Sequence, residues 1–209
     1  LTAAQYLMHD DLAEKLGNRN MRLTTRQGIQ LHGILIGSLK EVISSIVNSG
    51  LTTWGACGDV VRNTMGPASP IADVAHRDCQ SLAEEISRIF LAKSTAYSEI
   101  WLDGEKLDLN ATQDEPDEIY GTEMLPRKFK IGIAIPPRND VDIFSQDIGM
   151  APVMEGGQVT GYNLWVGGGF GMTHGMENTR PVLAKPLGFV ARPHVVGAVK
   201  AVVLTQREH

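Results

Sequence analysis

Apolar and polar residues alternate along several short stretches of this chain, and this period-two pattern predicts β-strands. The clearest alternation lies in LPRKFKIGIAIPP, residues 125–137, and the pair Gly156-Gly157 predicts a tight turn between two further strands. The predicted strands occupy residues 20–36 (two strands broken near Gly28), 51–54, 97–102, 127–135, 147–154 and 158–166.

Four other stretches carry apolar residues at intervals of three and four, which predicts amphipathic helices. In the longest of them, Ala75, Cys79 and Leu82 begin an apolar stripe that continues to Phe90. Together with the strands, these helices indicate an α+β fold. The predicted helices are 2–16 (closed by Gly17), 38–50 (Ser38 as N-cap, Gly50 at the end), 71–93 and 193–207 (Pro193 in the first turn).

The first pair of predicted strands gathers polar side chains on one face. If the chain is extended there, Leu23, Ile29 and Leu31 point to the opposite face. Burying guanidinium groups costs free energy unless an anionic group accepts their hydrogen bonds. A polycarboxylate suits such a face, because arginine binds carboxylates with two parallel hydrogen bonds. The residues that share the polar face are Arg22, Thr24, Arg26, Gln30 and His32.

The 127–135 strand also has two unlike faces. Ile131, Ile133 and Ile135 fall on one face, with Phe129 in line. The other face begins with two ammonium groups and continues with very small side chains, which leaves room for a flat, bulky group. A solvated lysine face is the alternative interpretation. The residues of this second face are Lys128, Lys130, Gly132 and Ala134.

Composition narrows the possible functions. The 209 residues carry a net charge of −5, which does not suggest general nucleic-acid binding. Two cysteines are too few for a disulfide framework or an iron–sulfur cluster, and they fit a reducing compartment such as the cytoplasm. Each is expected to be a small buried apolar residue. The acidic segment 103–118 is expected to be a solvated loop, and no apolar run is long enough to span a bilayer.

Other polar motifs allow more than one interpretation. The segment GGGFGMTHG, residues 167–175, lacks the following helix that a dinucleotide fingerprint needs, so it is interpreted as a tight glycine corner. The six histidines show no metal-ligand spacing, and no metal site is predicted from them. Arg62, flanked by small residues and Asn63, is either an anion ligand or a surface arginine.

Four segments, in this order, resemble the siroheme-containing sulfite and nitrite reductases, and among them the sulfite reductase hemoprotein family. The segments are RLTTRQGIQLHG (22–33), TTWGACGDVVRN (52–63), LPRKFKI (125–131) and GYNLWVGGGFGMTHGMENT (161–179). The resemblance implies that residues 1–54 form half of a ferredoxin-like domain with a leading helix. Residues 55–209 would then form the first siroheme-binding catalytic lobe, a mixed sheet with flanking helices.

The resemblance also assigns roles to individual residues. Arg22, Thr24, Arg26, Gln30 and His32 would contact siroheme, a tetrapyrrole rimmed with carboxylates. Catalytic roles would fall to Arg62, Lys128 and Lys130, which would face the bound anion. The parent protein would also hold a 4Fe–4S cluster, but Cys57 and Cys79 do not match its cysteine ligands. The chain is therefore expected to be an interior fragment that is itself inactive.

The expected reaction of the parent is the reduction of sulfite to sulfide. His32 and Lys130 favour sulfite, because nitrite enzymes of the family tend to carry Arg and Asn there. The glycine segment is closer to the ferredoxin-dependent type, with a flavoprotein subunit as the alternative electron donor. A nitrite reductase that forms ammonia is the second hypothesis. The third is a non-catalytic folded remnant that associates through its exposed pseudo-symmetric face.

Overall fold

The computed structural model describes residues 1–92, 100–102, 105–107, 117–172 and 174–209. The chain forms two compact units, residues 1–56 and 57–209. Within the described residues, no helix has both the length and the apolar character needed to cross a membrane.

The first unit begins with helix α1 (Ala3–Leu16), close to the predicted bounds. A capping box starts it. The side chain of Thr2 accepts a hydrogen bond from the Gln5 N–H (3.2 Å), and the Thr2 N–H donates to Oε1 of Gln5 (2.8 Å). The helix ends at Gly17, where an added Cβ would lie 2.8 Å from the His32 carbonyl oxygen. Glycine at this position therefore lets the helix end approach the strand region.

Strands β1 (Met21–Leu23) and β2 (Ile29–Leu31) pair as an antiparallel hairpin, which confirms the two predicted strands at reduced length. Helix α2 (Leu39–Asn48) follows a single 3₁₀ turn. Ser38 occupies its N-cap position as predicted, but its side chain makes no capping hydrogen bond. Gly50, with φ of +81°, ends the helix. The strand predicted at 51–54 is wrong, because these residues form irregular chain and a turn.

The core of the first unit is small. Leu12 of α1 packs with Val42 and Ile46 of α2. Partly buried apolar residues surround them: Met8, Leu16, Leu31, Ile34 and Leu51. The hairpin thus contributes one of its two faces to this core through Leu31, and Arg22 and Gln30 on the opposite face are exposed.

The second unit is built around a four-stranded mixed sheet. The elements of this unit are α3 (Val74–Ile89), β3 (Ile100–Leu102), β4 (Glu105–Leu107), β5 (Ile131–Ile133), β6 (Ile148–Glu155), β7 (Gln158–Val166), β8 (Lys185–Ala191) and α4 (Val195–Glu208). The strand order of the sheet is β5-β6-β7-β8, with β5 parallel to β6 and the other neighbours antiparallel. A separate antiparallel pair, β3 with β4, precedes it in sequence.

Helices α3 and α4 cover one face of this sheet and form the main core with it. The predicted apolar stripe of α3 is confirmed, since Cys79, Leu82 and Ile86 are fully buried. A polar network ties these elements together at the edge of the core. The Tyr162 hydroxyl donates to the Asp78 carboxylate, and Nε of Arg192 donates to both oxygens of the same carboxylate (3.0 and 3.1 Å). Burial and the hydrogen bond to Asp78 raise the pKa of Tyr162, which keeps the phenol neutral.

Other residues of the second unit pack against the opposite face of the sheet. Gly132 and Ala134 lie on this face as predicted, but both are buried, and Ala134 belongs to a second cluster with Met65 and Val141. A Cβ added at Gly132 would lie 3.1 Å from Cγ of Gln146. The expectation that a flat, bulky group lies on these two residues is therefore wrong.

Several element bounds differ from the predictions. The strand predicted at 127–135 is regular only at 131–133, because its flanks pair with irregular chain. Residues 105–107 form β4 rather than the predicted acidic loop, whereas residues 97–99, 103–104 and 108–116 lie outside the described residues. Strand β8 was not predicted. Its residues are mostly exposed, and Pro186 and Gly188 (φ +138°) mask any strand pattern.

The glycine segment after β7 allows a close backbone approach, as its interpretation as a corner predicted. A Cβ at Gly168 would lie 2.3 Å from the Phe144 carbonyl oxygen and 2.6 Å from that of Gln146. The Gly168 N–H donates to the same Gln146 carbonyl (3.0 Å). At the neighbouring Gly169, an added Cβ would meet no atom within 4 Å. A side chain would therefore collide with neighbouring backbone at Gly168 but not at Gly169.

The cysteine predictions had mixed outcomes. Cys79 is buried, as expected, but Cys57 is exposed, so that expectation was wrong for Cys57. Cys57 lies in a turn-rich segment between Gly55 and Gly58, both of which have positive φ. Burial raises the pKa of the Cys79 thiol to about 11.

We expect Gly168→Ala to lower the free energy of unfolding by roughly 1–3 kcal/mol, because the added methyl group collides with two carbonyl oxygens. Gly169→Ala is the matched control and should have little effect. Thermal or denaturant unfolding of the two variants measures the difference. Equal stabilities would show that the corner relaxes without cost.

We also expect a thiol-alkylating reagent to modify Cys57 quickly and Cys79 hardly at all at pH 8. With a pKa of about 11, only about a thousandth of the Cys79 thiol is ionised at that pH, and its side chain is inaccessible. Mass spectrometry of the two cysteine peptides over time measures both rates. Similar rates would contradict the described burial of Cys79.

Candidate anion and cofactor sites

An irregular segment, residues 59–65, runs parallel to residues 125–133 in the second unit. Four backbone hydrogen bonds along it fix the alignment. The Phe129 N–H donates to Val60 (3.1 Å) and the Arg62 N–H donates to Phe129 (2.8 Å). Further along, the Met65 N–H donates to Ile131 (3.0 Å), and the Ile133 N–H donates to Met65 (2.8 Å). These bonds make Val61 the partner of Phe129 and Met65 the partner of Gly132.

This alignment determines which side chains share a face. Partners in a parallel bridge point to the same side, and Val61 and Phe129 both enter the main core. Among their neighbours in sequence, Val60 is also buried in that core, whereas Arg62, Lys128 and Lys130 are not members of it and are expected to point to the opposite side. Arg62, Lys128 and Lys130 therefore lie on one face of the bridge, and we call these three residues the cationic cluster. The sequence predicted these three residues as a set, and the backbone alignment is compatible with a common face, while their roles stay a prediction.

The Arg62 guanidinium is held in place within the cluster. Its Nε and Nη2 both donate to the Gly58 carbonyl oxygen, at 3.3 and 3.1 Å. Gly58 adopts φ of +85°, a conformation that favours glycine. Arg62 is half-buried, Lys130 is half-buried and Lys128 is exposed. The cluster therefore combines one anchored guanidinium with two ammonium groups that differ in their access to solvent.

A carboxylate next to this cluster was missed in the sequence. Asp147 precedes β6, is half-buried, and accepts a hydrogen bond from the Lys130 N–H (2.7 Å). It carries no motif, and only the register of β5 with β6 reveals its position. The sequence shows only that an acidic residue stands just before a predicted strand. This residue can be related to Lys130 only when the register of β5 with β6 is known.

Burial raises the pKa of the Asp147 carboxyl, although the Lys130 N–H and the charges of Arg127 and Lys130 oppose this shift. A raised pKa in the folded state means that folding favours the protonated carboxyl. Its contribution to stability is complete below the unfolded value near pH ~4 and is lost as the pH rises through the raised pKa. Ionisation of this carboxyl therefore lowers the stability of the folded state.

The predicted cofactor residues of the first unit lie on and around the β1–β2 hairpin. Arg22 is the direct cross-strand partner of Gln30, so their side chains share one face, and both are exposed. His32 follows β2 directly and is also exposed. Arg22 and Gln30 share a face as the alternating pattern predicted, whereas His32 lies one residue beyond β2 and outside the paired residues.

Thr24 and Arg26 are placed differently from the extended-chain prediction. Residues 24–28 form the hairpin turn, in which the Thr24 hydroxyl accepts a hydrogen bond from the Gly28 N–H (3.1 Å). The Thr24 N–H donates to the Gly28 carbonyl (2.9 Å). Arg26 is a half-buried residue of this turn. The turn, rather than strand alternation, therefore directs these two side chains.

The donor chemistry of these residues fits a carboxylate-rimmed group. On the hairpin, Arg22 and Gln30 are exposed donors on a common face, and His32, which directly follows β2, is also exposed. The chain's two cysteines do not fit a cluster site, because Cys79 is buried against Tyr162. Among the described residues, no group of three His, Cys, Asp or Glu side chains is arranged to hold a metal ion.

Comparisons with known proteins identify the family of this chain. The family model described as "Nitrite and sulphite reductase 4Fe-4S domain" matches residues 81–209. The model described as "Nitrite/Sulfite reductase ferredoxin-like half domain" matches residues 1–48. The chain is 45% identical over 208 residues to the NADPH sulfite reductase hemoprotein beta-component of Staphylococcus saprophyticus, and 47% identical over 209 residues to that of Bacillus pumilus.

These relatives are longer proteins. The alignments cover 100% of this chain and 36% of each relative, so the chain spans about a third of their length. The solved structure of the Mycobacterium tuberculosis NirA protein matches 99% of this chain and 32% of its own, with a TM-score of 0.69 and 23% identity. This likeness confirms the expected α+β fold. The two family models and the relatives together show that this chain belongs to the nitrite and sulphite reductase family.

Proposed function

We propose that this chain is part of an assimilatory sulfite reductase and that the cationic cluster binds the sulfite anion. The observation that carries the proposal is the parallel alignment that places Arg62, Lys128 and Lys130 on one face. The names of the relatives, which are sulfite reductase hemoproteins at 43–47% identity, support it. The chain alone is proposed to be inactive, since it corresponds to about a third of those proteins.

The cluster suits a small oxyanion for electrostatic reasons. Sulfite carries one or two negative charges, and fixed cations offset that charge most effectively where water is partly excluded. Arg62 is anchored to the Gly58 carbonyl, so its guanidinium is oriented before the anion arrives. The ammonium groups of Lys128 and Lys130 can donate hydrogen bonds to the oxygens that leave as water.

The hairpin of the first unit is proposed to bind the carboxylates of siroheme. Arg22 and Gln30 supply donors from one face, and His32 and Arg26 add to them. Thr24 holds the turn closed through its hydroxyl, and this fixes the backbone that carries Arg26. When bound, siroheme would supply a redox-active iron that relays electrons from the external donor.

The electron donor and the location are also proposals. The relatives carry NADPH in their names, which favours electrons that come from NADPH through a flavoprotein. Ferredoxin, which the glycine segment suggested, stays the alternative donor. A cytoplasmic location is consistent with two unpaired thiols in the chain.

We expect Lys130→Asn in the full-length holoenzyme to lower kcat/KM for sulfite by roughly 10- to 100-fold, because one cationic donor to the anion is lost. Lys185→Asn, at an exposed lysine of β8, is the matched control and should behave like the wild type. Steady-state assays with sulfite and with nitrite measure the effect. Faster turnover of nitrite than of sulfite by the wild type would favour a nitrite reductase.

We expect Arg22→Gln to lower the siroheme content of the purified full-length protein, because a bidentate donor to a carboxylate is lost. Arg19→Gln removes an exposed arginine that pairs with Glu14 just before the hairpin, and it should retain siroheme. Extracted siroheme per chain, measured by absorption, compares the two. Equal retention in both variants would remove Arg22 from the proposed cofactor site.

A further inference from the structure

We propose that Asp147 is a positioning residue that fixes the backbone of Lys130 and so directs its ammonium group within the cationic cluster. The inference rests on the proposed function for the identity of the anion, and on the hydrogen bonds of the second unit for everything else. Asp147 lies outside the three residues that were predicted to face the anion.

The argument begins with the ladder between β5 and β6. Ile148 pairs with Ile131, and the Ile148 N–H donates to the Lys130 carbonyl (3.1 Å). At the other end of the ladder, the Ala134 N–H donates to the Met150 carbonyl (3.0 Å). In a regular parallel ladder of this phase, the Lys130 N–H would donate to the carbonyl of residue 146.

The observed bonds at this step are different. The Gln146 carbonyl accepts from the Gly168 N–H (3.0 Å), at the corner where the glycine segment meets the sheet. The Lys130 N–H donates instead to the Asp147 carboxylate (2.7 Å). The side chain of Asp147 therefore replaces a backbone acceptor and extends the ladder by one residue beyond β5.

The extension matters because it falls on a residue of the cationic cluster. With its N–H held by Asp147 and its carbonyl held by Ile148, Lys130 has both backbone groups fixed. Phe129, next to it, is held by Val60 and Arg62 on the other side of the chain. The φ and ψ angles of Lys130 are thus fixed, and with them the direction of its Cα–Cβ bond.

A neutral side chain would make this hydrogen bond without the cost of a half-buried charge. The carboxylate is kept although burial works against it, and the nearby Arg127 and Lys130 charges offset part of that cost. The placement of a charged acceptor here agrees with a site whose other members are cations. The hydrogen bond, however, needs only an oxygen at the same position.

The test uses three substitutions in the full-length holoprotein. Asp147→Ala removes the acceptor, and Asp147→Asn keeps an oxygen acceptor without the charge. Asp117→Ala is the matched control. It removes another carboxylate of the second unit that accepts backbone N–H groups, those of Ile119 and Tyr120. Sulfite binding to the oxidised protein, titrated by visible absorption without an electron donor, gives the dissociation constant.

We expect Asp147→Ala to weaken sulfite binding roughly 5- to 30-fold, which is the effect of losing one well-placed hydrogen bond. Asp147→Asn should stay within about twofold of the wild type, since its amide oxygen replaces the acceptor. Asp117→Ala should bind normally. In the Lys130→Asn background, Asp147→Ala should have no further effect, because it acts through Lys130.

Three results would overturn the proposal: normal binding by Asp147→Ala, equal loss in Asp147→Asn, or a loss that persists without Lys130. If Asp147→Ala does not accumulate, Asp147→Glu displaces the acceptor by one methylene, and normal binding by that variant would also overturn it. Amide hydrogen exchange of the peptide containing Lys130 is a second readout. Exchange should accelerate in Asp147→Ala and not in Asp147→Asn.

The exchange readout separates the two proposals. A wild type that binds and reduces nitrite but not sulfite refutes the proposed function, and nitrite then serves as the probe for the same set of variants. A wild type that binds neither anion also refutes the proposed function. Unchanged exchange at Lys130 in Asp147→Ala refutes the positioning role whatever the anion is.

Discussion

The parallel pairing of residues 59–65 with residues 125–133 is the constraint on which the proposed chemistry depends. Arg62 and Lys130 are 68 positions apart in sequence, and no local pattern connects them. Backbone hydrogen bonds between Val60, Arg62 and Phe129 place them on a common face. Like charges repel each other at close range, so the folded framework has to impose this arrangement, and a bound anion as proposed would offset the repulsion.

The framework that imposes it is the main core of the second unit. Val61 and Phe129 are buried in the cluster that α3 and α4 form with the sheet, and this burial orients the opposite face. The hydrogen bonds of Asp78 with Tyr162 and Arg192 tie α3 to β7 and to the start of α4. Apolar packing therefore determines where the charges of the cationic cluster lie, because its three residues occupy positions next to Val61 and Phe129 that are not part of the core.

Sequence reasoning identified what depends on local period and missed what depends on register. The helices α1, α3 and α4 and the β6–β7 hairpin follow from apolar spacing and turn residues, and the structure confirms them. Strand β8 was missed because its side chains are mostly exposed and give no alternation. The turn at 24–28 redirected Thr24 and Arg26 for a similar reason, since a closed turn overrides strand periodicity. Asp147 was invisible because its partner is a backbone N–H on another strand.

Strand β8 is the edge strand of the sheet, and its residues affect whether another strand could pair with it. It is the last strand in the order, and Leu187 and Phe189 are about half exposed, at 53% and 54%. An exposed apolar edge of this kind normally invites pairing with another chain and aggregation. Pro186 has no N–H to offer an incoming strand, and Gly188, at φ +138°, breaks the regular line of donors. The two residues that hid β8 from prediction thus also make its backbone a less regular partner for an incoming strand.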